Sequence, residues 1–119
     1  MNCCQASGNR GLSQFTQWGV LNDDRDIYLN YYGQSNVRTL TPKGHPIGIV
    51  QQTDYPKSGS VRITLDLGRA ERFGLNLRIP VWSSRASVRM NGVPCSGVTP
   101  GHYYRLERKW RSGDVVELD

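Results

Sequence analysis

Much that would mark a familiar class is missing from this sequence. Its 119 residues hold no apolar run near the roughly 20 positions that a bilayer-crossing helix needs, so no membrane partner is expected. No basic-then-apolar leader stands at the N-terminus. The three cysteines are odd in number and do not make a complete disulfide framework. His45 and His102 stand far apart, without metal-type spacing. Acidic residues number 10 against 15 basic ones, a net charge of +5, and 12 of the basic residues are arginine. That surplus is dispersed: Arg62, Arg78, Arg89 and Arg105 alternate with apolar neighbours, as solvated strand faces do. A phosphate-binding surface needs clustered cations with interleaved stacking rings, so no nucleic-acid partner is expected. Phosphate loops, a Ser-His-Asp order and dinucleotide fingerprints are absent as well.

What is present changes period along the chain. Near the N-terminus Leu12, Phe15 and Trp18 recur at a spacing of three, and Gly19 suits a helix C-terminus. This predicts one short amphipathic helix over residues 10–18. From Asp26 onward the period becomes two. Ile27, Leu29 and Tyr31 alternate with polar or aromatic neighbours, and Ile47 and Ile49 continue the pattern after Pro46. Val61, Ile63, Leu65 and Leu67 form the cleanest alternating run, followed by Phe73, Leu75, Leu77 and Ile79. Val88 and Met90 lead into Asn91-Gly92, a strong two-residue hairpin signal. Tyr104, Leu106, Val115, Val116 and Leu118 complete the set. About eight or nine short strands between Gly and Pro turns predict an all-β, antiparallel, jelly-roll-like sandwich with one N-terminal helix. The helix has no helical partner in the chain, and the last alternating run ends without a closing turn. Both lead to the expectation of a piece of a longer chain.

The sharpest local chemistry is Cys3-Cys4, just before the predicted helix. A thiolate is stabilised near a helix N-terminus and by a cation or metal. Zinc wants four donors, and here two thiols are adjacent while Cys95 is remote. Idle thiols and half of a ligand set both remain open on the residues alone. Cys95, after the Asn91-Gly92 turn, reads as a small core residue. The carboxylates suggest no acid/base pair of the kind that cleaves a glycosidic bond. Asp23, Asp24 and Asp26 read as turn formers in one polar loop. Asp114 serves a turn, while Asp66, Glu107 and Glu117 fall at outward strand positions; Asp54 alone has an unusual setting, before Tyr55-Pro56. Rings at Tyr28, Tyr31, Tyr32, Tyr55, Trp82, Tyr103, Tyr104 and Trp110 could stack on sugar, or equally pack a sandwich.

An ordered series of motifs runs through nearly the whole chain. It starts with Cys3-Cys4-Gln5-Ala6-Ser7-Gly8-Asn9-Arg10-Gly11-Leu12 and continues with Thr53-Asp54-Tyr55-Pro56 and Leu77-Arg78-Ile79-Pro80-Val81-Trp82. Asn91-Gly92, Tyr103 and Arg108-Lys109-Trp110-Arg111-Ser112-Gly113-Asp114 close it. In these stretches the chain resembles the β-L-arabinofuranosidase family of zinc-dependent cysteine glycoside hydrolases. The resemblance implies a parent with an (α/α)₆ catalytic barrel followed by β-sandwich domains. Residues 1–21 would then be the end of the barrel's last helix, and residues 22–119 the first sandwich. It also implies that Cys3 is the nucleophile and that Cys3 and Cys4 bind zinc. The remaining ligands and the acid/base glutamate would lie in the upstream barrel.

The expected function is therefore that of a non-catalytic sandwich domain bracing the barrel of a glycoside hydrolase. The fragment alone is expected to be inactive, with zinc in the intact parent and none held here. Its expected partners are the upstream barrel and, through it, a carbohydrate substrate. The alternative is a carbohydrate-binding module with an aromatic platform. Self-association through the uncovered Leu12/Phe15/Trp18 stripe is a third expectation. A soluble parent, cytoplasmic or exported, fits the composition.

Overall fold

The computed structural model describes residues 19–54, 57 and 59–119. The predicted helix over residues 10–18, with Cys3 and Cys4, lies outside the described residues. Ten strands follow in the described chain: β1 (Val20–Asn22), β2 (Asp26–Leu29), β3 (Ser35–Leu40), β4 (Pro46–Thr53), β5 (Val61–Leu67), β6 (Glu71–Arg78), β7 (Val88–Met90), β8 (Val93–Cys95), β9 (Tyr103–Trp110) and β10 (Val115–Leu118). They form a four-stranded sheet in the order β1-β2-β6-β9 and a six-stranded sheet in the order β3-β4-β5-β10-β7-β8.

The two sheets enclose one core, fed by alternate residues of each strand. Ile27, Leu29, Phe73, Leu75, Leu77 and Trp110 come from the smaller sheet. Ile49, Ile63, Leu65, Val88, Val116 and their neighbours come from the larger one. In β5 the burial strictly alternates in phase with the apolar residues, as its sequence predicts. Trp110 is wholly buried: its indole N–H donates to the Phe73 carbonyl at 2.9 Å, and its ring stacks on Phe73 at 5.8 Å. It is a core residue, not a candidate sugar platform.

Three features differ from the sequence expectation. Strands β2 and β6 pair in parallel, with Ile27 opposite Leu75 and Leu29 opposite Leu77, inside otherwise antiparallel sheets. This follows from the chain crossing to the other sheet between them. The run around Ile27 also ends at Leu29, so Tyr31 projects from a loop and is exposed. Strand β3 was not anticipated, because Ser35–Leu40 contains only two apolar residues and presents an edge. The Asn91-Gly92 hairpin forms as predicted: both residues have positive φ, 50° and 82°, which a two-residue turn of this hand requires. Asn91 also accepts a hydrogen bond from the Val115 amide at 2.8 Å and donates to Asp114 at 3.0 Å, tying the hairpin to β10.

Candidate functional site

The outer face of the four-stranded sheet carries the densest polar chemistry among the described residues. On β6, the register places Gly74 between Asp26 of β2 and Glu107 of β9. Arg105 reaches back across β6 from β9 to Asp26. Its Nη2 and Nε lie 2.9 Å from Asp26 Oδ1 and Oδ2 respectively, a bidentate pair. The bridge passes directly over Gly74. A Cβ at that position would meet Asp26 Oδ1 at 2.4 Å and two Arg105 nitrogens at 2.8 Å. Glycine is therefore required here by close approach, not by a positive φ. Asn76 donates to Asp26 Oδ2 at 2.9 Å, and Arg105 Nη1 donates to Glu107 Oε2 at 2.7 Å. Asn76, on the outward face of β6, is buried beneath this cluster.

Electrostatics decide what the cluster can do. The hydrogen bonds from Arg105 outweigh burial and hold the Asp26 carboxyl below its usual range. Arg105 does the same for Glu107. Backbone N–H groups of Arg25 and Asp26 hold Asp23 down, and Tyr28 donates to its other oxygen at 3.0 Å. A glycosidase acid needs the opposite, a carboxyl kept protonated near neutrality. These carboxylates are held ionised, Asp26 and Glu107 by the Arg105 guanidinium and Asp23 by amide and hydroxyl donors. They close a clasp over the sheet, beside an open hollow of about 760 Å³ bordered by Lys43 and Arg72. Asp26 is accordingly not a turn former. It sits in β2, buried and charge-paired, whereas Asp23 alone makes the turn, accepting from the amides of Arg25 and Asp26.

A second polar knot joins the two sheets. Glu71 opens β6 with its side chain 2% exposed. Thr41 Oγ1 donates to its Oε1 at 2.7 Å, and His45 Nδ1 lies 2.7 Å from the same oxygen. Burial pushes the Glu71 carboxyl up, but these partners outweigh it and the net shift is downward. The knot pins the β3–β4 turn to β6. Glu71 escaped the sequence reading because Arg69-Ala70-Glu71-Arg72 looks like an ordinary charged turn. Gly74 within an alternating run and Asn76 at an outward position were the signals that could have exposed the clasp.

The other sequence candidates disperse. Cys95 is half-buried at the core's margin, and His102 is exposed in a separate turn. Among the described residues no group of three or more His, Cys, Asp or Glu is placed to hold a metal. Among the described residues no helix is long and apolar enough to cross a membrane. Arg62 pairs with Glu117 at 2.8 Å on the outer face of the larger sheet. The fold does gather some rings: Tyr28 and Tyr103 meet edge to face at 5.5 Å, and Arg78 lies over Tyr31 at 5.8 Å. Tyr32 is turned inward, its hydroxyl donating to the Arg78 carbonyl at 2.8 Å, and burial raises its pKa.

Comparison with known proteins gives a consistent picture. Residues 26–119 match the family described as "Beta-L-arabinofuranosidase, GH127 middle domain". A solved glycoside hydrolase superposes with a TM-score of 0.85 at 36% identity, over 98% of this chain and 20% of its own. A GH127 β-L-arabinofuranosidase from Geobacillus stearothermophilus T6 gives 0.87 at 31% identity, over 98% and 18%. A further GH127 β-arabinofuranosidase gives 0.83 at 25% identity, over 98% and 21%. The chain thus spans about a fifth of the length of these relatives. No curated protein matches it.

Proposed function

Because the chain belongs to the GH127 β-L-arabinofuranosidase family, as its middle domain, we propose that it braces the catalytic part of a larger glycoside hydrolase. On its own it cleaves no sugar. The observation that carries this is the state of the carboxylates. Asp23, Asp26, Glu71 and Glu107 are all held ionised by fixed partners, which suits scaffolding and not proton donation. The substrate, an arabinofuranoside, would be held by the upstream barrel.

The resemblance assigns Cys3 as nucleophile and Cys3 and Cys4 as zinc ligands. Thiolate donors suit zinc, so the chemistry of the pair fits that metal. Two donors are half of the usual four, and the upstream barrel would supply the rest, together with the acid/base glutamate. When bound, zinc would keep the Cys3 sulfur deprotonated near neutral pH. Cys4 would hold its partner's position beside it.

The test is direct. The 119-residue chain is incubated with an aryl β-L-arabinofuranoside and zinc. Release of the aryl group should not exceed the buffer rate. Turnover that disappears in Cys3→Ser would show a complete centre in these residues and overturn the proposal.

A further inference from the structure

We infer that β9 is the pairing edge for a second copy of this chain, laid antiparallel against it about a two-fold axis at Leu106. Of the four edge strands, β1 and β8 have three residues each and β3 has six, while β9 has eight. Among the described residues β9 pairs only with β6, so one side of its backbone carries no strand. Such an edge is a template for a further strand, and exposed charges commonly guard it. Here Arg105, Glu107 and Lys109 are exposed on the outer face, while Tyr104, Leu106 and Arg108 are half-buried on the inner one. Those charges discourage most partners. Against a second copy they become complementary in one register.

Two copies of one strand that share a sheet about a two-fold axis pair antiparallel. Residues directly opposite then lie on the same face, so the axis passes through a residue and not between two. Two such registers overlap seven residues of β9, and every other overlaps fewer. With the axis at Glu107, Glu107 faces Glu107 of the copy and Arg105 faces Lys109, so like charges oppose at every outer position. With the axis at Leu106, Arg105 faces Glu107 of the copy and Glu107 faces its Arg105. Arg105 Nη1 already donates to Glu107 of its own chain at 2.7 Å, so four charges of alternating sign close a square around the axis. The bridge to Asp26 uses the other two nitrogens, Nε and Nη2, and is undisturbed. On the inner face Leu106 meets Leu106, half-buried at the margin of the core in each copy. Arg108 faces Tyr104 of the copy. Its guanidinium lies over the Trp110 ring at 5.6 Å, and its Nε is buried with no hydrogen-bond partner among the described residues. The added strand brings a ring and a hydroxyl beside it. Lys109 faces Tyr103, a pair without repulsion. The two four-stranded sheets thereby become one of eight strands. The contact is a narrow strip, so the association is weak and concentration-dependent.

The experiment uses the full 119-residue chain with its thiols kept reduced. Sedimentation equilibrium from about 0.02 mM to about 1 mM should show monomer and dimer in exchange. Salt at about 0.5 M should weaken the dimer about twofold or more. Glu107→Arg sets arginine against Arg105 at two symmetric positions and should raise the dissociation constant about tenfold or more. Asp54→Arg makes the same change of charge beyond the end of β4, in the other sheet, and should leave that constant within about twofold. Circular dichroism checks that both variants are folded. In a mixture of labelled and unlabelled wild type, isotope-filtered NOEs should join Leu106 to Leu106 and Arg108 to Tyr104 across the interface. A strict monomer at the highest concentration would overturn the inference. Association as tight in Glu107→Arg as in wild type would do the same, and so would Leu106 meeting Arg108 of the other copy. If Glu107→Arg does not fold, the filtered NOEs of the wild type decide alone.

Discussion

Replacing Gly74 with alanine should destabilise the domain, although alanine is ordinarily the better strand residue. Where space is free, the exchange gains about 0.5–1 kcal/mol from the reduced backbone entropy of the unfolded chain. Here the added methyl would lie 2.4 Å from Asp26 Oδ1 and 2.8 Å from Arg105 Nε and Nη2. Something must move, and the alternative to backbone displacement is separation of Asp26 from its cation. Overfilling a packed site costs about 1–3 kcal/mol. Loosening the partner of a carboxylate whose side chain is only 10% exposed adds to that. The net expectation for Gly74→Ala is a loss of about 2 kcal/mol, or a fall in Tm of about 10 °C for a domain of this size. Urea unfolding followed by far-ultraviolet circular dichroism measures it, with the slope m unchanged and the midpoint lowered. The cycle with Asp26→Ala is the sharper readout. Removing the carboxylate makes room for the methyl, so the second change should cost about 1 kcal/mol less in that background. A neutral or stabilised Gly74→Ala, or strict additivity in the cycle, would refute a bridge lying across β6.

The remaining expectations concern the polar knots and the core. Asp26 and Glu71 have folded pKa values below their unfolded ones, so the unfolded chain binds protons first on acidification. Their contribution should be complete only above about pH 5.5, clear of the unfolded carboxylate pKa values, and fall away progressively below it. Asp26→Asn should flatten the acid limb of stability against pH; an unchanged limb would contradict the assignment. Thr41→Val removes the hydroxyl that donates to Glu71 and accepts from the His45 amide, and should cost about 1–2 kcal/mol in chemical unfolding. Trp110→Phe keeps a ring beside Phe73 but leaves the Phe73 carbonyl without its indole donor, and should cost about 2–3 kcal/mol. A loss under about 0.5 kcal/mol in either variant would count against the hydrogen bonds described.

The fold was largely legible because burial and chemistry share a period in strands with one wet face. In β5, Val61, Ile63, Leu65 and Leu67 could point nowhere but inward, and the Asn91-Gly92 pair could scarcely be anything but a tight turn. Strand β3 was illegible for the converse reason: Val37 and Leu40 are too few to mark a period, and their strand is recruited by pairing with β4. Cys3 and Cys4 stood out by their chemistry alone, whereas the clasp left almost no local trace. Asp26 and Arg105 are 79 positions apart, and nothing near either one names the other.

By itself, then, the sequence determined which side chains must leave water and where the chain must turn, since both depend on neighbours two or three residues away. Only the tertiary structure decided that β2 and β6 run in parallel. That one pairing brings a carboxylate, a glycine and a guanidinium from three strands into a single bridge. A contact between residues so distant in the chain depends on strand order and register, which no local pattern encodes.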